Sequence, residues 1–349
     1  MRFVGGGGAA ERFDAAPPAA PVGQVLTPQQ RRTIASLLPE AGRTGPAGSA
    51  FEVSGAGPAE HLRTWLEAQA GAMASALPGP PLRLSKERLT RLERCQGLFD
   101  ADVAGERPPF VHSRRSAAGT LLHRALELEA GATAPVDPSS LLDLAVQRLG
   151  RDRAFGAFWR QRTDAERADV RADAARAVDL FRASFPSLPA FRRRLAPTAE
   201  LWLETPLAGG RILLCGRVDL IVGQGGPGRG AGGPSGRVLI DLKTGSAWPE
   251  HAEDMRFYAL LFTLRVGVPP ARVATMFLRS GECQVEAVSP EALQRAAERV
   301  VAAVRAAARL AADVGPDLTP GPHCRWCPRR ATCPGAAPAT AGEASEEEG

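Results

Sequence analysis

Two short runs in the middle of the chain carry residue types suited to chemistry: Gly-Arg-Val-Asp ending at Asp219, and Ile-Asp-Leu-Lys-Thr-Gly, which holds Asp241 and Lys243. Asp219 follows an apolar, β-branched segment. Asp241 closes another such segment with Lys243 two residues on, so the period of two in a strand puts that carboxylate and that ammonium on one face. Hydrolysis of a phosphodiester with divalent metals needs carboxylates to hold Mg²⁺ or Mn²⁺, a metal-activated water as nucleophile, and a positive group near the charge developing on phosphate. Asp219 and Asp241 supply the first and Lys243 the last. The same residues also suit turns that close strands, with Lys243 a solvated charge ahead of Thr244 and Gly245.

A second set is the trio Cys324, Cys327 and Cys333, spaced C-x2-C-x5-C near the C-terminus. Three thiolates need a fourth ligand, and Cys95 lies more than two hundred residues upstream in Leu-Thr-Arg-Leu-Glu-Arg-Cys-Gln-Gly. Thiolates suit Zn²⁺ or an iron-sulfur cluster. Zinc sites usually draw paired ligands from two nearby turns, so a distant single cysteine with a clustered trio is less typical of zinc. Zinc on the same residues, with His323 as a substitute ligand, and unmetallated cysteines remain open. Cys215 and Cys283 stand alone and read as small buried hydrophobes.

The elements that must position these groups follow from pattern. Ser85 caps a helix through Leu89, Leu92 and Cys95, with Glu87 in its first turn. A helix from near Gly119 presents His123 and Glu127 on one face, four residues apart. Helical patterns continue over Ser139–Leu149 and Asp164–Phe185. Three strands follow, Ala199–Pro206, Arg211–Val222 and Arg237–Leu242. The glycine-rich segment Gly223–Gly236 reads as a long hairpin tip; it lacks the Gly-Lys-Ser/Thr ending of a phosphate loop and precedes a strand. Then come a helix over Glu250–Val266, strands over Ala271–Leu278 and Gln284–Ala287, and a helix over Pro290–Val314. That order predicts a mixed α/β core.

Taken together and in this order, the pieces Gly119-Thr-Leu-Leu-His123-Arg-Ala-Leu-Glu127, Gly216-Arg-Val-Asp219, Asp241-Leu-Lys243-Thr-Gly and Met255-Arg-Phe-Tyr258 resemble the PD-(D/E)XK nuclease superfamily, and within it the RecB-like exonuclease branch. The resemblance covers about Leu84 to Pro334. It implies a restriction-endonuclease-like mixed sheet flanked by helices. It also implies metal ligands at His123, Asp219, Asp241 and the backbone carbonyl of Leu242, with Asp219, Asp241, Lys243 (the catalytic lysine) and Tyr258 as the catalytic residues. Glu127, Glu200 and Glu204 are candidate supporting carboxylates. One departure is that Asp254 stands where the family commonly has the Gln of Gln-x-x-x-Tyr. The four cysteines look like the [4Fe-4S] staple of AddB-type helicase-nuclease subunits and of CRISPR-associated RecB-like nucleases, clamping the start of the domain to its end. Arg325, Trp326, Arg329 and Arg330 around the trio suit DNA contact or packing over the cluster.

The resemblance therefore implies a metal-dependent DNA exonuclease, acting on single-stranded ends in repair or recombination. A non-catalytic DNA-binding or scaffolding subunit and a CRISPR-adaptation nuclease are the alternatives. No Walker A motif is present, so unwinding would need a partner helicase. With 349 residues, 44% of them hydrophobic, the chain can bury a large core, and a net charge of +5 is compatible with nucleic acid as partner. Arginine dominates the basic residues; the only lysines are Lys86 and Lys243. No apolar run reaches the roughly 18 residues of a membrane span and no signal-peptide pattern opens the chain, which predicts a cytoplasmic protein without membrane contact. Composition divides the chain into a low-complexity, partly disordered region over 1–80, the nuclease domain over 82–335 and an acidic tail over 336–349.

Overall fold

A computed structural model describes residues 25–38, 57–224, 235–245, 248 and 250–336. The centre is a six-stranded mixed sheet built around one long strand, β3 (Ile212–Val222). β2 (Thr198–Leu207) runs antiparallel along one whole edge of β3. The other edge is shared end to end: β1 (Leu82–Leu84) pairs parallel with residues 212–214, and β4 (Ser235–Lys243) pairs antiparallel with residues 220–222. β5 (Pro270–Phe277) lies parallel to β4, and β6 (Glu282–Ala287) closes the sheet antiparallel to β5. Between Leu214 and Leu220, the β1/β4 edge of β3 has no ladder partner among the described residues. The candidate site lies across that opening.

Alternation along the strands sends residues to two apolar layers. Ile212, Leu214, Val218 and Leu239 face α2 (Pro58–Ser75), α10 (Glu250–Val266) and α11 (Pro290–Ala311). Leu220, Ile240, Leu242 and Met276 face α1 (Pro28–Leu37), α5 (Arg114–Gly131), α6 (Pro138–Leu149) and α8 (Asp164–Ser184). The result is a sheet sandwiched between helices, the restriction-endonuclease-like arrangement expected above. No helix of the described residues is long and apolar enough to cross a membrane.

The long helices begin where local chemistry directs. Thr163 and Glu166 form a capping box for α8, Ser289 caps α11 with Pro290 at its first position, and Ser113 with Ser116 closes the start of α5. That last box starts α5 at Arg114, five residues before the Gly119 expected from the apolar pattern. Ser85 occupies the cap position of α3 (Lys86–Arg94) without bonding a backbone N–H; its hydroxyl donates to Glu87 at 2.7 Å. The pattern also passed over α4 (Gln96–Val103), α7 (Arg153–Arg160), a single turn α9 (Arg192–Leu195) and the three-residue β1, all too short for a clear period. Residues 225–234 of the expected hairpin tip and the acidic tail from 337 lie outside the described residues.

Candidate active site

Asp219 sits on β3 at the opening in the ladder. Its Oδ2 accepts the backbone N–H of Leu242 at 2.8 Å, so a side chain replaces a ladder bond between β3 and β4 and brings the Leu242 peptide to the site. Its other oxygen is 3.5 Å from Nδ1 of His123, on α5. Burial pushes the Asp219 carboxyl above the usual carboxylate range, with Asp241 adding to the push and His123 opposing it.

His123 Nδ1 also meets Glu200 Oε1 at 2.9 Å. Burial disfavours a charged imidazole, but Asp219 and Glu200 outweigh it and raise the His123 pKa. Glu200 reaches this place from β2 through a left-handed backbone, φ +53°, a conformation that costs a non-glycine residue about 1–3 kcal/mol. Its second oxygen holds Arg217 Nε at 2.9 Å. Among the described residues, His123, Glu200 and Asp219 are the one group of three whose ligand atoms all lie within 4.8 Å of one another. They line, with Ser116, Thr120 and Arg217, an open polar cavity of about 340 Å³.

Asp241, on β4, has 3% of its side chain exposed and stands between two lysines. Lys243 Nζ lies 2.7 Å from Oδ2, and Lys86, the first residue of α3, donates to Oδ1 at 2.8 Å. Burial alone would raise the Asp241 pKa; Lys86 and Lys243 overcome it and hold the carboxyl well below its ordinary value. Oδ2 is buried against the Lys243 ammonium, the more exposed of the two. An anionic, buried carboxylate is a suitable ligand for a divalent cation. The donor set of carboxylates and one imidazole fits Mg²⁺ and, better, Mn²⁺. Fit is therefore good for a divalent ion held by His123, Glu200 and Asp219 with Asp241 beside them.

The other expected residues fall as follows. Tyr258, on α10, lays its ring against β3 where a Cβ on Gly216 would come within 2.6 Å of it, and its hydroxyl donates to the Arg217 carbonyl at 2.8 Å. The glycine of the Gly-Arg-Val-Asp run thus makes room for Tyr258. Asp254 accepts from Thr90 at 3.3 Å, and burial pushes its pKa up to about 6. Of the three candidate supporting carboxylates only Glu200 joins the cluster: Glu204 pairs with Arg83 at 2.8 Å, and Glu127 lines the cavity while pairing with Arg124. Sequence reasoning did not assign Lys86 or Arg217 a role. The one available signal for Lys86 was its rarity as a lysine.

A family model of the PD-(D/E)XK nuclease superfamily matches residues 83–334. The chain belongs to this superfamily. Its members are metal-dependent nucleases, and in this PD-(D/E)XK chain Asp219, Asp241 and Lys243 lie on adjacent strands. No protein of curated function matches it. A solved crystal structure titled as that of SSO0001 is similar at 12% identity, over 80% of this chain and 98% of that one, with a TM-score of 0.31.

In this nuclease fold Cys95 forms the joint between α3 and α4, ending one helix and starting the other. Cys324 lies in a 3-10 turn over Pro322–Trp326, Cys327 directly follows it, and Cys333 follows a second turn over Arg330–Thr332. All four cysteines are free and line one cavity of about 340 Å³, with Leu318 and His323. Nε2 of His323 is buried there without a partner. The C-terminal loop is fastened to α4 by Asp317 on Gln96, at 2.8 and 3.1 Å, and by Arg329, which pairs with Asp100 and Glu106. Arg325 lies over the ring of Trp326 at 4.4 Å, and Trp326 is 64% exposed.

Proposed function

We propose that the chain is a metal-dependent DNA exonuclease of the RecB-like branch that digests single-stranded ends in repair or recombination. The observation that carries the catalytic reading is the meeting of Asp219, Asp241 and Lys243 with His123 and Glu200 at the opening in the sheet. A divalent cation bound there supplies a lowered-pKa water as nucleophile and a Lewis acid for the phosphate. His123, Glu200, Asp219, Asp241 and the Leu242 carbonyl are the groups that would hold it. Leu242 N–H fixes the rotamer of Asp219, and Arg217 fixes that of Glu200. Lys243, 28% exposed and paired with Oδ2 of Asp241 at 2.7 Å, is placed to move onto a phosphate oxygen as negative charge builds there. Trp202, 54% exposed on β2 directly across from Arg217, offers a stacking face for an unpaired base beside the site, which supports a single-stranded substrate.

For the four cysteines we propose a structural [4Fe-4S] cluster. A tetrahedral zinc with bonds of about 2.3 Å gathers its sulfurs to within roughly 4 Å of one another. Here no three of the sulfurs lie within 4.8 Å, and the four surround a cavity with largely apolar walls, a setting that supports the larger group.

The test is incubation of anaerobically purified chain with end-labelled single- and double-stranded DNA and Mg²⁺ or Mn²⁺, beside Asp241→Ala. Shortening of labelled single strands by the wild type, with loss of about a thousandfold in the variant, is expected. Equal survival of the DNA with both proteins would leave a DNA-binding scaffold as the better reading.

A further inference from the structure

Of the 43 lysines and arginines in the chain only Lys86 and Lys243 are lysines, and both stand on the one carboxylate of Asp241. Lys243 belongs to the signature of the superfamily. Lys86 does not: it comes from another part of the chain, at the first turn of α3, where β1 ends against Leu214 and delivers the helix start into the opening beside β3. We propose that Lys86 is a positioning residue of the nuclease site, holding Oδ1 of Asp241 so that Oδ2 is presented to the cation and Lys243 is left for the scissile phosphate. This inference rests on the nuclease reading above.

The two lysines are not equivalent. Lys86 makes a hydrogen bond to Oδ1 at 2.8 Å, its side chain is 12% exposed, and its ammonium sits 4.8 Å from the centre of the Tyr258 ring. Lys243 is 28% exposed and pairs with Oδ2 at 2.7 Å. One ammonium is therefore locked between a carboxylate and an aromatic face, while the other is more exposed. A compact ammonium serves at position 86 where a planar guanidinium would bring a rigid fork of donors against both oxygens and the ring. That explains a lysine in a chain that otherwise uses arginine.

The experiment compares wild type with Lys86→Met and Lys86→Arg by kcat and KM on an end-labelled single strand with Mn²⁺, by Mn²⁺ calorimetry without DNA, and by thermal unfolding. Misplacement of one reacting group by about 1 Å costs on the order of a hundredfold. K86M should therefore lose about a hundredfold in kcat with KM near wild type. It should also bind Mn²⁺ more weakly, because Oδ2 of Asp241 is no longer presented to the cation. K86R should not restore kcat. Wild-type kcat in K86R, or unchanged Mn²⁺ affinity in K86M, would overturn the inference by making Lys86 a mere counter-ion or a prop of the fold. If K86M does not fold, K86R carries the comparison alone. A wild type that cuts no DNA sinks the nuclease reading and this inference with it; a wild type that cuts while K86R matches it sinks only the inference.

Discussion

Asp241 and Glu200 illustrate how single side chains are held at a cost that the surroundings offset. A carboxylate as buried as Asp241 is tolerated because two ammoniums face it; removing either leaves an under-compensated charge. Glu200 is kept in a left-handed backbone by bonds to His123 and Arg217. Glu200→Gln should keep the fold yet weaken Mn²⁺ binding by about tenfold or more, read by calorimetry; unchanged affinity would remove Glu200 from the ligand set. Asp254 gives a pH signature. Its pKa is raised to about 6 in the folded chain against about 4 unfolded, so the native state keeps the proton longer and stability is lost as pH rises through 6. Asp254→Asn should raise the melting temperature at pH 8, by about 1–2 kcal/mol of stability, and have little effect at pH 4.5.

At the scale of elements, the site exists because β3 gives up ladder partners for part of its length. Asp219 ties β3 to β4 there through Leu242, and α10 presses Tyr258 onto Gly216. Gly216→Ala should therefore displace the Tyr258 ring, destabilise the chain by about 1–3 kcal/mol and lower activity through Asp219 three residues on. Tyr258→Phe removes only the bond to the Arg217 carbonyl, at about 1 kcal/mol, and should leave most activity intact. Thermal unfolding and the end-labelled assay, run on both variants, separate the two effects; a Tyr258→Phe protein as inactive as Asp241→Ala would give the phenol a chemical role instead.

Over the whole molecule, the described parts of the N-terminal region pack into the body: Leu62 and Leu66 of α2 lie in one core, and Ile34 and Leu37 of α1 in the other. The C-terminal loop returns across the sequence to α4, closing a loop of over two hundred residues around the nuclease core. Cys327→Ser should abolish iron content and visible colour, lower the melting temperature and open the loop after Pro316 to protease. Stoichiometric zinc and no iron in the wild type would select zinc. α3 links the two sites, with Cys95 at one end and Lys86 at the other.

The order of the long helices and of the strands from β2 to β6 was legible in the sequence, because it rests on local period, and so was the C-x2-C-x5-C trio, which rests on spacing within a short run. Which groups meet was not. His123 chooses Glu200 from among three candidate carboxylates through a backbone twist that no pattern announces. Lys86 reaches Asp241 across 155 positions. Side chains that converge from separate elements depend on where β3 loses its partners and how α3 enters that opening. Those are properties of the packed sheet, and no stretch of the chain encodes them alone.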